Sequence, residues 1–228
     1  YSGFNATTPF WFAAILAFLN VLFLLLFLSE THTTQTRLLK INWGRSFKNI
    51  IRAFNLKSLR PLFITGFIFQ SGFSFYITFF SVFLIVKFGF DQGNITFTQL
   101  IITRLAARKF KESQILKISL AGAGLSVIIL FFISNSRELF LFVPLFAVFN
   151  GLTQANLAGL VSRSAGQEIQ GEIMGINSSV QAFAQSIPPL LSGFIAAKIT
   201  PEAPVVLSSV LMILSGISFL ILYKTRAD

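Results

Sequence analysis

Six stretches of this 228-residue chain run for 19 to 26 residues without a single charged side chain. They cover residues 9–28, 61–86, 118–136, 139–162, 173–197 and 203–223. A helix rises about 1.5 Å per residue, so each run can cross a hydrocarbon layer about 30 Å thick. Lipid offers no hydrogen-bond partner to a free peptide group, which restricts a crossing segment to a helix or a closed barrel. The short alternating segments of a barrel are missing from the pattern. Only 11% of the residues are charged, against about 25% in an ordinary soluble domain, so most of the surface must face something other than water. The chain has no cysteine, and cysteine usage therefore carries no information about redox compartment.

Charge then argues for a seventh crossing. Arg37, Lys40, Arg45, Lys48, Arg52, Lys57 and Arg60 follow one another without an acid between them, which marks that linker as cytoplasmic. Residues 92–103 are uncharged but number only 12, too few for a full span. If they do not cross, the 18 lysines and arginines divide nine and nine between the two sides. If they do cross, 15 lie inside and only Lys87, Arg137 and Lys198 lie outside. The second split obeys the positive-inside rule, and the length deficit predicts a skipped segment of about ten residues near Phe97 and Thr98.

The expected fold is thus all-α and polytopic, with about seven transmembrane helices, one of them incomplete. These are 9–28, 61–86, a defective one near 95–103, 116–136, 139–161, 173–197 and 203–223. Tyr1 is not an initiator methionine, and no basic n-region or small-residue cleavage site accompanies the first apolar run, so it does not read as a signal peptide. The chain reads as beginning inside a larger membrane protein. Within the linker, Trp43, Phe47, Ile50, Ile51 and Phe54 share one helical face opposite Arg45, Lys48, Arg52 and Lys57. That pattern predicts a basic amphipathic helix lying on the anionic inner leaflet of the bilayer, and it accounts for the basic charge without nucleic acid.

Polar residues inside the spans indicate where function resides. Gln70, Ser74, Thr78 and Ser81 step by four, four and three, which places them in one narrow arc. Asn177, Gln181, Gln185 and Pro188 form a second stripe, and Asn150, Thr153 and Gln154 share a third face. An amide turned toward acyl chains forfeits its hydrogen bonds at several kcal/mol. These faces should therefore meet other helices or an aqueous cavity. Gly122 and Gly124 lie in an apolar run, where small residues permit close helix packing rather than phosphate binding. None of the six charge-free runs contains Asp, Glu, Lys, Arg or His, and His32 is the only histidine. No nucleophile, base and acid set can be assembled, so an enzyme is disfavoured, and neither a metal site nor any other cofactor is expected.

The order of one span, a long basic linker and six further spans resembles the end of the first half and the whole second half of a major facilitator superfamily transporter. Residues 9–20 with Glu30 and Thr31 look like the sixth helix of its drug and proton antiporter branch, which includes tetracycline-resistance type exporters. Residues 151–164, then 170–179 from Gln170 and Gly171 onward, then Pro188, Pro189 and Gly193 are similar to that branch's tenth and eleventh helices. The resemblance implies a division into 1–30 as the last helix of the N-terminal half, 31–60 as the linker and 61–228 as the C-terminal six-helix half. Residues 103–112 keep the basic side chains of a family gating turn but lack its Asp and Gly, which makes Arg104, Arg108 and Lys109 candidates for gating or for a plain topology signal.

The same resemblance implies a secondary carrier that works by alternating access, with proton-coupled efflux of a small, amphiphilic organic solute. Its candidate substrate wall is Gln70, Ser74, Thr78, Asn150, Gln154, Asn177, Gln181 and Gln185. Pro188 and Pro189 should kink their helix, and Gly193 should permit close contact. The implied partners are the lipid bilayer, the solute, the absent N-terminal half and a proton. The implied location is the cytoplasmic or plasma membrane, with the C-terminus in the cytoplasm. A channel would need a continuous polar pore, which these stripes do not make. A scaffold or sensor of the same fold that moves no solute is the remaining alternative.

Overall fold

The computed structural model describes residues 8–27, 51, 55–56, 58–89, 112–165 and 169–223. Among them the only regular structure is helical. The helices are α1 (Thr8–Phe27), α2 (Arg60–Phe88), α3 (Glu112–Phe132), α4 (Ser136–Ser164), α5 (Gln170–Lys198) and α6 (Ala203–Leu222). The chain falls into two compact units, Tyr1–Asn42 and Trp43–Asp228. In the first, α1 exposes Trp11, Phe12, Phe18 and Phe23 around its circumference. In the second, α2 to α6 form a bundle.

By length and composition, four helices of the bundle can cross a membrane: α2, α3, α4 and α6. The sequence suggested that α5 belongs with them. It has the length, 29 residues or about 43 Å, but its amides and serines dilute its apolar character. The other expected boundaries move by a few residues. The 116–136 span stops at Phe132, because Asn135 turns into an extended conformation and its side chain accepts from the backbone N–H of Arg137 at 3.1 Å. This caps α4 two residues on. At its far end α2 closes on Gly89, whose φ of 63° suits glycine and whose N–H reaches the carbonyl of Ile85.

Small residues set the packing of the bundle. A Cβ on Gly72 of α2 would lie 2.9 Å from the backbone oxygen of Ser208 in α6. One on Gly124 of α3 would lie 2.5 Å from Ile213 of α6, and one on Gly122 would lie 2.6 Å from the Phe149 ring of α4. The close packing expected of Gly122 and Gly124 is therefore made. Gly193 differs: a Cβ there meets nothing within 4 Å, so no described residue of this chain makes the contact expected of it. Ser208, Ser209 and Ser215 turn their hydroxyls back to carbonyls of their own helix, which lets α6 present a narrow, hydrogen-bonded seam to α2 and α3.

Contacts also fix the direction of each helix. Thr65 meets Ser218 and Gly72 meets Ser208, so α2 and α6 run antiparallel. Gly216 meets Leu120 and Gly124 meets Ile213, so α3 is antiparallel to α6 as well. Consequently α2 and α3 run parallel, and the side chain of Lys87 near the end of α2 reaches Phe131 near the end of α3. Gly89 and Glu112 therefore lie at opposite ends of the bundle, and the expected crossing near 95–103 lies outside the described residues. The suspected break at Phe97 and Thr98 lies outside the described residues, as does the expected amphipathic helix apart from Ile51 and Asn55, which are helical and exposed.

Candidate functional site on helices α2, α4 and α5

Helix α2 is the shared wall between α4 and α5. Gln70 is only 2% exposed, and its amide pairs reciprocally with that of Gln154 on α4. Gln70 Nε2 donates to Gln154 Oε1 at 3.2 Å, and Gln154 Nε2 donates to Gln70 Oε1 at 2.9 Å. From the next residue of α2 onward the partner helix changes. Ser71 Oγ donates to the carbonyl of Ala184 at 3.3 Å, and Ser74 Oγ donates to the carbonyl of Gln185 at 3.0 Å, both on α5. The Phe67 and Phe183 rings, 5.9 Å apart, extend this seam toward the Arg60 end.

The α5 carbonyls are available for a covalent reason. Inside a helix the carbonyl of residue i accepts from the N–H of residue i+4, and proline has none. Pro188 therefore frees the oxygen of Ala184, and Pro189 frees that of Gln185. These are the two oxygens that Ser71 and Ser74 occupy. Helical structure continues through both prolines to Lys198. Neighbouring hydroxyls are one of the few ways to satisfy such carbonyls in a membrane helix.

The remaining candidates scatter around this seam. Thr78 returns its hydroxyl to the carbonyl of Ser74 at 2.7 Å, so it is spent within α2. Thr153, adjacent to Gln154, donates to Ser119 of α3 at 2.9 Å, so the polar face of α4 divides between α3 and α2. On α5, Asn177 is buried, Gln181 is half-buried and Gln185 is exposed. Of the prolines, Pro188 is buried and Pro189 exposed. Arg104, Arg108 and Lys109 lie outside the described residues.

Among the described residues two buried side-chain atoms have no hydrogen-bond partner: Asn150 Oδ1 on α4 and the Tyr76 hydroxyl on α2. The ring of Tyr76 stacks on Phe80 at 4.6 Å and leans on Phe146 at 4.4 Å, and Phe146 precedes Asn150 by one turn of α4. Sequence reasoning passed over Tyr76 and Ser71. The signal for Tyr76 was present, since it is the only tyrosine of the chain in the interior of a charge-free run. Ser71 sits one residue from the predicted stripe and could be assigned only once α5 was seen beside it. Among the described residues no cluster of three or more His, Cys, Asp or Glu could hold a metal ion.

Comparison with known proteins agrees with this architecture. The family model for the Major Facilitator Superfamily matches residues 94–228, the part of the chain that includes α3 to α6. No curated protein matches the chain. Parallel and antiparallel apolar helices, amide and hydroxyl bridges between them and a family match over more than half of its length lead to one assignment: the chain belongs to the Major Facilitator Superfamily and is an integral membrane protein of a transporter fold.

Proposed function

We propose that this chain supplies the last helix of the first half, residues 1–30, a basic linker, 31–60, and the second half, 61–228, of a secondary carrier from the drug and proton antiporter branch. The carrier moves a small amphiphilic organic solute out of the cell by alternating access, driven by a proton gradient. It resides in the cytoplasmic or plasma membrane with its C-terminus in the cytoplasm. Solute binds near the midplane between the two halves, which then rock about it.

The observation that carries this reading is the α2 seam. Gln70, Ser74, Gln154 and the main chain of Gln185 form an uncharged hydrogen-bonded band between three helices, with the Gln185 side chain exposed beside it. Gln181, Asn177, Asn150 and Thr78 extend the band along α5, α4 and α2. Neutral amides beside many phenylalanines suit a solute with an apolar body and a few polar groups. Pro188 and Pro189 give α5 a site of weakened backbone pairing at the level of that band. Arg104, Arg108 and Lys109 complete the cytoplasmic gate, and the coupling carboxylate belongs to the first half.

The test uses the full-length protein in proteoliposomes. An imposed proton gradient is expected to drive Hoechst 33342 flux, and Gln185→Ala is expected to reduce it several-fold. Flux of the dye that is absent, or indifferent to the gradient, would favour a scaffold or sensor that moves no solute.

A further inference from the structure

Lys87 was legible in the sequence only as one of three basic residues on the minority side. In the structure it occupies the last turn of α2 and reaches the neighbouring end of α3. Its ammonium donates to the carbonyl of Phe131, one of the oxygens that α3 leaves without an internal partner at its C-terminus. The same nitrogen stands 5.1 Å from the ring centroid of Phe131, 5.3 Å from that of Phe83 and 5.8 Å from that of Phe88. All three lie within the range at which a ring face attracts a cation.

Helix direction explains why a cation belongs there. Because α2 and α3 run parallel, the negative ends of their dipoles lie side by side, an arrangement that repels unless positive charge is placed between them. Lys87 supplies that charge to both ends.

We propose that Lys87 is a positioning residue: its ammonium is a clasp that holds the end of α2 against the end of α3. The helix carrying Gln70 and Ser74 thereby keeps its register in the half while access changes. The clasp acts at one end of the bundle only. It does not depend on which solute is carried or on which ion drives transport.

The test reads local opening. In the full-length carrier with its other thiols removed, a cysteine is placed either at Ile133, which is buried just beyond α3 at the Lys87 end, or at Leu157, which packs against Gly66 toward the other end. The rate of N-ethylmaleimide labelling is then compared between backgrounds. Lys87→Met is expected to accelerate labelling of I133C by about two- to fivefold, the equivalent of one exposed cation–π contact, and to leave L157C unchanged. Lys87→Arg is expected to restore the wild-type rate. Lys87→Gln, a second neutral variant should Lys87→Met not insert, is expected to behave like Lys87→Met. Equal labelling of I133C in wild type and the neutral variants would overturn the proposal. So would an equal acceleration at both sites, or an arginine variant that labels as fast as the neutral ones.

Discussion

The hydroxyl of Ser74 donates at 3.0 Å to the carbonyl of Gln185, an oxygen that has no helical partner because the residue four positions later is Pro189. A defect written into the covalent structure of α5 is thus repaired by a side chain of α2. Ser71 does the same for Ala184 and Pro188. Two helices that would otherwise be held only by van der Waals contact acquire a defined register.

The first prediction concerns that repair. Ser74→Ala should destabilise the protein by about 1–2 kcal/mol, because a carbonyl in apolar surroundings loses its donor. Pro189→Ala restores the missing N–H, and in that background Ser74→Ala should cost less than half as much. Reversible unfolding of the four variants of this cycle in mixed micelles measures the coupling. Equal costs in both backgrounds would show that the proline does not create the acceptor.

The Gln70 and Gln154 pair should also be strongly non-additive. Gln70→Leu leaves the Gln154 amide half-satisfied, whereas the double Leu variant removes both partners and can be close to neutral. The coupling energy expected is about 0.6–1.7 kcal/mol, from the average to the largest value typical of hydrogen bonds between membrane helices. The same unfolding assay reads it.

Close approach at Gly72 is expected to be costly to disturb. Gly72→Val would push a side chain toward the Ser208 backbone and Met212, with a loss of about 1–3 kcal/mol from overpacking. Gly193→Val, where a Cβ meets nothing, should lie within about 0.5 kcal/mol of wild type in the same assay, as expected of a site with no neighbour.

Helix directions predict sidedness. Single cysteines at Glu138 and Lys198 should react with a membrane-impermeant maleimide from one side of the membrane. Those at Ser58 and Arg163 should react from the other. Intact and permeabilised cells distinguish the two sets. Reaction of Ser58→Cys and Lys198→Cys from one side would contradict the direction of α2 or α5.

Much of this architecture could be read before any coordinates. Five of the six charge-free runs coincide with a helix to within three residues at either end, and the sixth, 118–136, lies four to six residues later than its helix, Glu112–Phe132. The arcs containing Gln70 with Ser74, and Thr153 with Gln154, were visible as well. Their neighbours were not. Gln70 and Ser74 fall on one arc of α2, yet one pairs with α4 and the other with α5. Thr153 and Gln154 are adjacent in sequence and serve α3 and α2 respectively. An arc of polar residues shows that a face avoids lipid, but it is wide enough to touch two helices. The surroundings of Lys87 were hidden for a related reason: a charge count locates a residue on one side of the membrane and says nothing of the Phe83, Phe88 and Phe131 rings around it.

Membrane-crossing helices follow from the sequence alone, because an unpaired peptide group in hydrocarbon is so costly that a long apolar run must coil whatever surrounds it. Which helices touch, and which oxygen each hydroxyl finds, was decided only by the tertiary structure. Lipid tails are as apolar as the leucines they replace, so hydrophobic pattern cannot choose one neighbour over another. That choice fell to contacts between distant residues, such as Gly72 with Ser208 and Ser74 with Gln185.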